Sequence, residues 1–295
     1  MELRVLNYFL MVAREENISR AATLLHLTQP TLSRQIRALE EELQVTLFER
    51  DNHHLRLTED GLLLRRYAQE IVELSEKARE DLIGQTGTLS GSIAIGAGET
   101  RNVRVLAKWM KAFQEVYPLV KFVLESDTAD IVQEKLEKGL IDIGLMMEPV
   151  DASRYQVLRM PLRECYGALM RADNPLARKE VIEARDLLNV PLILPKRLEV
   201  QSYLRNWLAD YYEQLNVVAM SDLWFNGTYL VEAGMGVRFC CDIDCCYGQS
   251  EVPLRFVPLA GNYEVGAVLG WKKQILSRTV RTFLEFCRER SQEGA

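Results

Sequence analysis

The segment SRAATLLHLTQPTLSRQIRALEEEL, from Ser19 to Leu43, carries the pattern of two short helices joined by a tight turn. Thr28 can cap the second helix, and Pro30 falls in the first turn, where an amide hydrogen is not needed. Apolar side chains recur along one side of this helix: Leu32, Ile36, Leu39 and Leu43. The opposite side carries Pro30, Ser33, Arg34 and Arg37. We therefore expect a helix that buries one face and offers hydrogen-bond donors on the other.

The first helix of this pair is expected to be short. Ser19 is a suitable N-cap for a helix over residues 20–26, and the small Ala21 and Ala22 permit close helix packing. An earlier helix is indicated by helical spacing of Leu3, Leu6, Phe9, Leu10 and Ala13. Such an arrangement is typical of a helix-turn-helix, whose second helix enters the DNA major groove. The alternative is a small helical bundle whose polar face is only solvated.

A hairpin and a long helix are predicted next. In LFERDNHHLRLTEDG, residues 47–61, the turn near Asp51 precedes an alternating apolar and polar run, which is typical of a small β-wing. The following helix is expected to start at Thr58 and extend to about Leu82. Its apolar residues repeat at coiled-coil spacing: Leu64, Tyr67, Ile71, Leu74 and Ala78. Pairing with a second copy would bury this seam, so we expect a dimer.

Several short motifs of the first 61 residues together resemble the N-terminal domain of LysR-type transcriptional regulators. The matching residues are Ala21-Ala22, Leu27-Thr28-Gln29-Pro30, Ser33-Arg34-Gln35-Ile36, Leu39-Glu40, Leu47-Phe48-Glu49-Arg50, Leu57-Thr58 and Gly61. The resemblance implies a winged helix-turn-helix, mainly α-helical with a small β-wing, followed by a long coiled-coil linker helix. It also suggests a tetramer, whereas the sequence itself indicates one dimer seam.

The resemblance implies that the polar face of the second helix contacts double-stranded promoter DNA. Gln and Arg suit bidentate bonds to adenine and guanine, whereas the hydroxyl groups suit phosphates. Where the family has Arg or Lys in the wing, this chain has histidines, so wing contacts are expected to be weaker or pH-dependent. Solvent-exposed histidines without a role are the alternative. The expected DNA-binding residues are Gln29, Pro30, Thr31, Ser33, Arg34, Arg37, Arg50, His53 and His54.

A Gly/Ser/Thr-rich segment, GQTGTLSGS at residues 84–92, marks a domain boundary. Strands and helices alternate beyond it in two sets, which predicts two lobes with parallel sheets, joined by two crossing strands. The expected strands are Ser92–Gly96, Val120–Ser126, Ile141–Met146, Tyr166–Arg171, Leu192–Leu194, Val237–Cys240 and Tyr263–Trp271, and the expected lobe II helices are Ser202–Tyr212 and Thr228–Ala233. We therefore predict a DNA-binding domain at 1–58, a dimerisation linker helix and hinge at 59–90, and an α/β effector domain at 91–295. Lobe I is expected at about 91–161 and 267–295, and lobe II at about 162–266.

The second half also resembles the LysR-family effector domain, which is similar to periplasmic binding proteins. In such a fold a small-molecule effector binds between the lobes, at strand ends and helix N-termini. Hydroxyl and amide groups there suit a carboxylate or oxyanion, whereas Glu99, Asp127, Glu148 and Glu199 would favour an amine or polyol. Ordinary helix capping is the remaining alternative. The expected effector-binding residues are Thr100, Arg101, Ser126, Thr128, Glu148, Arg197, Ser202, Asn226 and Thr228.

Composition limits the other functions. The formal net charge of −6 argues against broad binding of polyanions, and seven Arg face eight acidic residues even in residues 1–58. No apolar run approaches a membrane span and the charged start is unlike a signal peptide, so we expect a cytoplasmic protein without membrane contact. All three histidines precede residue 55 and no Gly-rich phosphate loop is present. We therefore expect neither catalysis nor a cofactor.

The run CCDIDCC places four cysteines, Cys240, Cys241, Cys245 and Cys246, within seven residues. Thiolates bind soft metals, so a small-molecule, thiol or metal sensor is the alternative function. However, paired cysteines are not the spacing of structural zinc sites, and neighbours on a strand point to opposite faces. We expect these cysteines to be small buried hydrophobic residues.

Overall fold

The computed structural model describes residues 1–51, 54–83, 88–196, 198–243, 251–261 and 263–293. The chain separates into two compact units, Met1–Ile83 and Gly84–Ala295. None of the helices in the described ranges combines the length and apolar character needed to cross a membrane.

The first unit is a helix-turn-helix followed by a two-stranded wing and a long helix, as predicted. The antiparallel wing strands pair Phe48 with Leu57 and Asp51 with His54. The elements are α1 (Leu3–Glu15), α2 (Ile18–Leu24), α3 (Gln29–Leu43), β1 (Phe48–Asp51), β2 (His54–Leu57) and α4 (Glu59–Ile83).

Two local expectations for this unit were wrong. Asn17, rather than Ser19, caps α2: its side chain accepts a hydrogen bond from the Arg20 amide at 3.0 Å. Asn17 has the extended backbone of a cap residue, which leaves Ser19 inside the first turn. Leu43 does not continue the buried stripe of α3, because Gln44 turns into the left-handed conformation and ends the helix there.

One hydrophobic core joins all three short helices to the start of α4. Phe9 of α1, Leu32 and Leu39 of α3, and Leu47 before the wing are fully buried together with Ala68 of α4. Burial of a Leu or Phe side chain contributes about 1.5–3 kcal/mol relative to exposure. The polar face of α3 is thus held on a fixed scaffold rather than on an isolated helix.

Gly61 permits the close approach of α4 to this core. A Cβ atom at position 61 would lie 2.2 Å from the Leu47 carbonyl oxygen, which belongs to the backbone and cannot rotate away. We expect Gly61→Ala to lower the free energy of unfolding of the first unit by about 1–3 kcal/mol. Urea unfolding followed by circular dichroism measures this, with exposed Glu73→Ala on the same helix as the control. Equal midpoints for Gly61→Ala and wild type would contradict the packing.

The second unit is an α/β structure in which strands and helices alternate. Its helices are α5 (Asn102–Val116), α6 (Ala129–Lys138), α7 (Leu198–Leu208), α8 (Trp224–Glu232) and α9 (Arg278–Glu293). Its strands are β3 (Gly91–Ala97), β4 (Val120–Ser126), β5 (Ile143–Met147), β6 (Tyr155–Arg171), β7 (Pro191–Pro195), β8 (Asn216–Ser221), β9 (Val237–Cys241), β10 (Leu254–Pro258) and β11 (Glu264–Lys272).

Two sets of parallel strands are linked by two long antiparallel strands. The strand order is β4-β3-β5-β11-β6-β9-β7-β8, with β10 also pairing with β6. In lobe I, β3 pairs in parallel with β4 and β5, and in lobe II β7 does so with β8 and β9. Strands β6 and β11 pair with each other and connect the lobes. Two crossing strands were expected, and the predicted strand Tyr263–Trp271 corresponds to β11.

The sequence analysis did not predict the strands, or parts of strands, whose side chains are mostly exposed. Strand β8 carries no buried residue, and most side chains in the first part of β6, before Cys165, are exposed. Strand β10 was also missed. In lobe II, α7 ends earlier than predicted because Ala209 has a positive φ of 48°, and α8 begins four residues before Thr228.

Candidate nucleic-acid interface and candidate ligand cleft

The polar face of α3 is open to solvent. Thr28 caps the helix and its hydroxyl oxygen accepts from the Thr31 amide at 3.4 Å, while the two hydroxyl groups lie 2.8 Å apart. Ser33 is half-buried. The exposed residues of this face are Gln29, Pro30, Thr31, Arg34 and Arg37. Within the described residues no ion pair engages Arg34 or Arg37, so both guanidinium groups can bind an external anion.

Glu40 fixes the wing to the end of the same helix. Its carboxylate accepts from the Leu47 amide at 2.7 Å and from the Phe48 amide at 3.2 Å. On the other side of the hairpin, the Thr58 hydroxyl donates to the Thr46 carbonyl at 2.6 Å. The sequence analysis gave Glu40 only as part of a family motif and assigned it no role, because these contacts join residues that are not neighbours in the chain.

The wing residues predicted to contact DNA lie mostly beyond what the structure describes. His53 lies outside the described residues. Arg50 and His54 belong to β1 and β2, but their side chains also lie outside the described part of the chain.

The predicted seam of α4 divides into two parts. Leu64 packs against the core of the first unit, and the neighbouring Ala68 is fully buried. Tyr67, Ile71 and Leu74 are 47%, 38% and 45% exposed, and Ala78 is exposed as well. A row of large apolar side chains therefore extends along α4 beyond the part that the core covers.

Two cavities lie between the lobes of the second unit. The first, of about 140 Å³, is bounded by Thr100 and Thr128 of lobe I and by aromatic residues of lobe II. The second, of about 220 Å³, is bounded by Arg101 and Ser126. We call them the inner cavity and the outer cavity. They share Gly98, Glu99, Thr100 and Trp224.

Four of the predicted effector residues reach these cavities. Thr100 borders both, Thr128 the inner one, and Arg101 and Ser126 the outer one. The Thr100 side chain is almost fully buried, and its hydroxyl group has no hydrogen-bond partner among the described residues.

The other predicted residues are placed elsewhere. Glu148 lies in a separate groove with Arg163 and Glu264. Asn226 is exposed on α8 and lines none of the described cavities. Thr228 is buried within α8, and its hydroxyl donates to the Trp224 carbonyl at 2.9 Å. Arg197 and the side chain of Ser202 lie outside the described part of the chain.

Lobe II contributes inner-cavity residues that the sequence reasoning did not select: Tyr166, Trp224, Arg238 and Phe239. Arg238 is 4% exposed and lies under the first turn of α8, where it donates to the Trp224 carbonyl and, at 3.0 Å, to the Leu223 carbonyl. The sequence did contain a signal for Arg238, which is the single cationic residue inside the otherwise apolar strand Val237–Cys241.

Comparison with known proteins agrees with both units. Residues 3–62 match the family model of the bacterial regulatory helix-turn-helix protein of the lysR family, and residues 86–292 match that of the LysR substrate binding domain. The chain belongs to the LysR family. It is therefore a DNA-binding transcriptional regulator with an effector-binding domain.

Individual relatives support this assignment over the whole chain. The Hca operon transcriptional activator HcaR of Escherichia coli is 30% identical, with 98% of both chains covered. The regulator AlsR of Bacillus subtilis is 32% identical over 81% of this chain and 80% of its own. Full-length CbnR, solved in complex with its target DNA, shares the fold with a TM-score of 0.77 at 22% identity, covering 100% of each chain.

In this LysR-family chain, a buried glutamate lies where the lobes meet. Glu164 of β6 is fully buried, and its carboxylate accepts from the Asn102 side chain at 2.8 Å and from the amides of Asn102 and Arg101 at 3.3 and 3.4 Å. These bonds cap the N-terminus of α5, which has no side-chain cap of its own. Burial raises the pKa of Glu164, although the hydrogen bonds from Asn102 and Arg101 oppose the shift.

The four cysteines in the described part of the chain lie in environments that disfavour the thiolate. Burial raises the pKa of Cys240 to about 12, and it also raises the pKa values of Cys165, Cys241 and Cys287. A raised pKa lowers the thiolate fraction that redox and metal chemistry require. No cluster of three or more potential metal ligands occurs in the described ranges. Cys245 and Cys246 lie outside them.

Proposed function

We propose that the exposed face of α3 binds one half-site of promoter DNA in the major groove. The observation that carries the proposal is the pair of exposed guanidinium groups, Arg34 and Arg37, beside Gln29 at the start of a rigidly mounted helix. Gln29 and Arg34 have the geometry for bidentate bonds to adenine and guanine. Thr31 and Ser33 hold phosphates, and Pro30 packs on a thymine methyl group.

The wing completes this interface in the proposal. Arg50, His53 and His54 reach the backbone beside the groove, and Glu40 sets the position of the wing relative to α3. With residues 1–58 as the DNA-binding domain, residues 59–90 pair two copies through α4. Two such dimers then form a tetramer on DNA.

The cleft of residues 91–295 binds a small-molecule effector in this account. Thr128 is the N-cap residue of α6, and its side chain makes no capping hydrogen bond; Thr128 and Ala129 both border the inner cavity. Thr100 adds a buried hydroxyl group, and Arg101 and Ser126 border the outer cavity. Ligand binding shifts the equilibrium between lobe arrangements and thereby changes promoter activity. A regulator of chromosomal promoters would work in the cytoplasm.

The test is fluorescence anisotropy of labelled duplexes taken from upstream of the protein's own gene, titrated with the full-length protein at several salt concentrations. An unrelated duplex of equal length and composition serves as the control. We expect selective binding of one fragment, with affinity that falls as salt rises because phosphate contacts release counterions. If no upstream fragment is preferred over the control, with or without added metabolites, the proposal is wrong.

A further inference from the structure

The Glu99 side chain connects the two lobes across the cleft. Glu99 lies between β3 and α5 in lobe I, and its carboxylate accepts a hydrogen bond from the backbone amide of Trp224, the first residue of α8 in lobe II. Residues 99 and 224 are 125 positions apart in the chain. Because β6 and β11 are the covalent connections between the lobes, the Glu99 contact is well placed to hold the cleft in one arrangement.

The site that the Glu99 carboxylate occupies is electrostatically favourable for an anion. The amides of the first turn carry the positive end of the α8 dipole, and the preceding residue, Leu223, has no side chain that can cap them. The buried guanidinium group of Arg238 lies beneath the same turn, bonded to the carbonyls of Leu223 and Trp224. Helix dipole and buried cation therefore act together on whatever lies at the Trp224 amide.

The same contact divides the cleft. Both cavities are bordered by Glu99, Thr100 and Trp224. The hydrogen bond from the Trp224 amide to Glu99 therefore lies between the inner cavity of about 140 Å³ and the outer cavity of about 220 Å³. A cavity of about 150 Å³ holds only a benzene-sized molecule, whereas small-molecule sites are typically about 300–1,000 Å³. Without the bridge, the two cavities would join into a space within that range.

Thr100 supplies an independent indication of a ligand at this point. Its side chain is 8% exposed, it borders both cavities, and its hydroxyl group has no partner among the described residues. A buried hydroxyl group without a partner is unfavourable, and an anionic ligand at this position would accept its hydrogen bond.

We propose that Glu99 is an internal substitute for the effector, and that the effector is a small carboxylate that displaces it. The ligand carboxylate takes the Trp224 amide and the Thr100 hydroxyl group, and the released Glu99 no longer ties lobe I to lobe II. This proposal rests on the proposed function of the cleft. A cationic ligand is disfavoured, because Asp127 of the inner cavity already pairs with Lys135 at 2.8 Å and Asp222 lies 4.0 Å from Lys196.

The experiment compares full-length wild type, Glu99→Ala and Glu115→Ala by hydrogen–deuterium exchange of peptides that cover the first turn of α8. Glu115 is an exposed glutamate on α5 that pairs with Lys111 one turn earlier on the same helix, and it controls for the loss of a carboxylate from lobe I. Acetate is the probe ligand, and acetamide is its uncharged counterpart of equal size, both at constant ionic strength. Far-ultraviolet circular dichroism verifies that each variant is folded.

We expect the Trp224 amide of Glu99→Ala to exchange about 10-fold to 100-fold faster than in wild type, since it loses a hydrogen bond to a charged acceptor. Acetate should restore slow exchange in Glu99→Ala but leave wild type unchanged, because the tethered carboxylate has a high effective concentration. Acetamide and Glu115→Ala should have no effect on the α8 turn.

Three results would overturn the proposal: equal exchange in Glu99→Ala and wild type, equal protection by acetate and acetamide, or the same change in Glu115→Ala. All of these measurements are made without DNA. A negative exchange result would therefore not contradict the proposal of promoter binding. In the same way, a negative result for promoter binding would not change the interpretation of the exchange experiment.

Discussion

Replacing Ile71 and Leu74 together with serine is expected to weaken self-association by more than about 10⁴-fold. Both side chains are large, apolar and substantially exposed on α4. Burying each contributes about 1.5–3 kcal/mol, and a twofold dimer counts every substitution twice. The double variant thus forfeits about 6 kcal/mol or more, which corresponds to that change in dissociation constant.

Sedimentation velocity over a wide concentration range measures this effect. The matched control replaces the exposed Glu73 and Glu76 of the same helix with serine, which tests for the effect of serine on helix stability alone. The control should self-associate like wild type. If the Ile71/Leu74 variant also sediments like wild type, α4 is not the dimer seam.

The second large effect is expected at the junction of the lobes. Glu164→Ala should lower the free energy of unfolding of the second unit by about 3–5 kcal/mol, because the amides at the start of α5 lose their buried carboxyl acceptor. The Asn102 side chain is left without its 2.8 Å partner, and the Arg101 guanidinium group, 3.7 Å away, loses a nearby carboxylate. Chemical unfolding monitored by hydrogen exchange of α5 peptides separates this loss from events in the first unit.

The raised pKa of Glu164 also predicts a pH dependence. Because the folded protein holds this proton more tightly than the unfolded chain, its contribution to stability is greatest below the ordinary carboxyl pKa. That contribution is lost as the pH rises through the raised pKa. Glu164→Gln should remove this dependence of the unfolding free energy on pH, whereas Glu285→Gln, at an exposed position, should retain it. Parallel stability curves for wild type and Glu164→Gln would contradict the assignment.

The first unit could be predicted closely because its signals are local. Thr28 and Pro30 mark the start of α3, and the alternation of Leu55, Arg56 and Leu57 marks the second wing strand. Ser19 was predicted as the cap of α2, whereas Asn17, a residue type equally suited to capping, takes that place two residues earlier. The contacts of Glu40 and Gly61 with the segment around Leu47 arise only when distant residues meet.

The cleft could be predicted only in part. The carboxyl ends of the parallel strands β3 and β4 lie side by side, because neighbouring parallel strands end at the same edge of the sheet. Their end regions carry Thr100, Ser126 and Thr128, so these residues could be predicted. Trp224 enters the cleft because the first turn of α8 packs on Arg238 of β9, and no local pattern encodes this contact between distant residues. Thr228 was selected as a helix start, but α8 begins earlier and encloses it.

Binding of the selected upstream duplex by Arg34→Ala tests the reading role of α3 most directly. The control is Arg79→Ala. It removes the same charge from a position on α4 that lies about 30 Å from the start of that helix. We expect Arg34→Ala to lose about 1–3 kcal/mol of affinity for the specific duplex and much less for the unrelated one, so that selectivity falls. Arg79→Ala should bind like wild type. Equal affinity and equal selectivity of Arg34→Ala and wild type would contradict the claim that this face reads DNA.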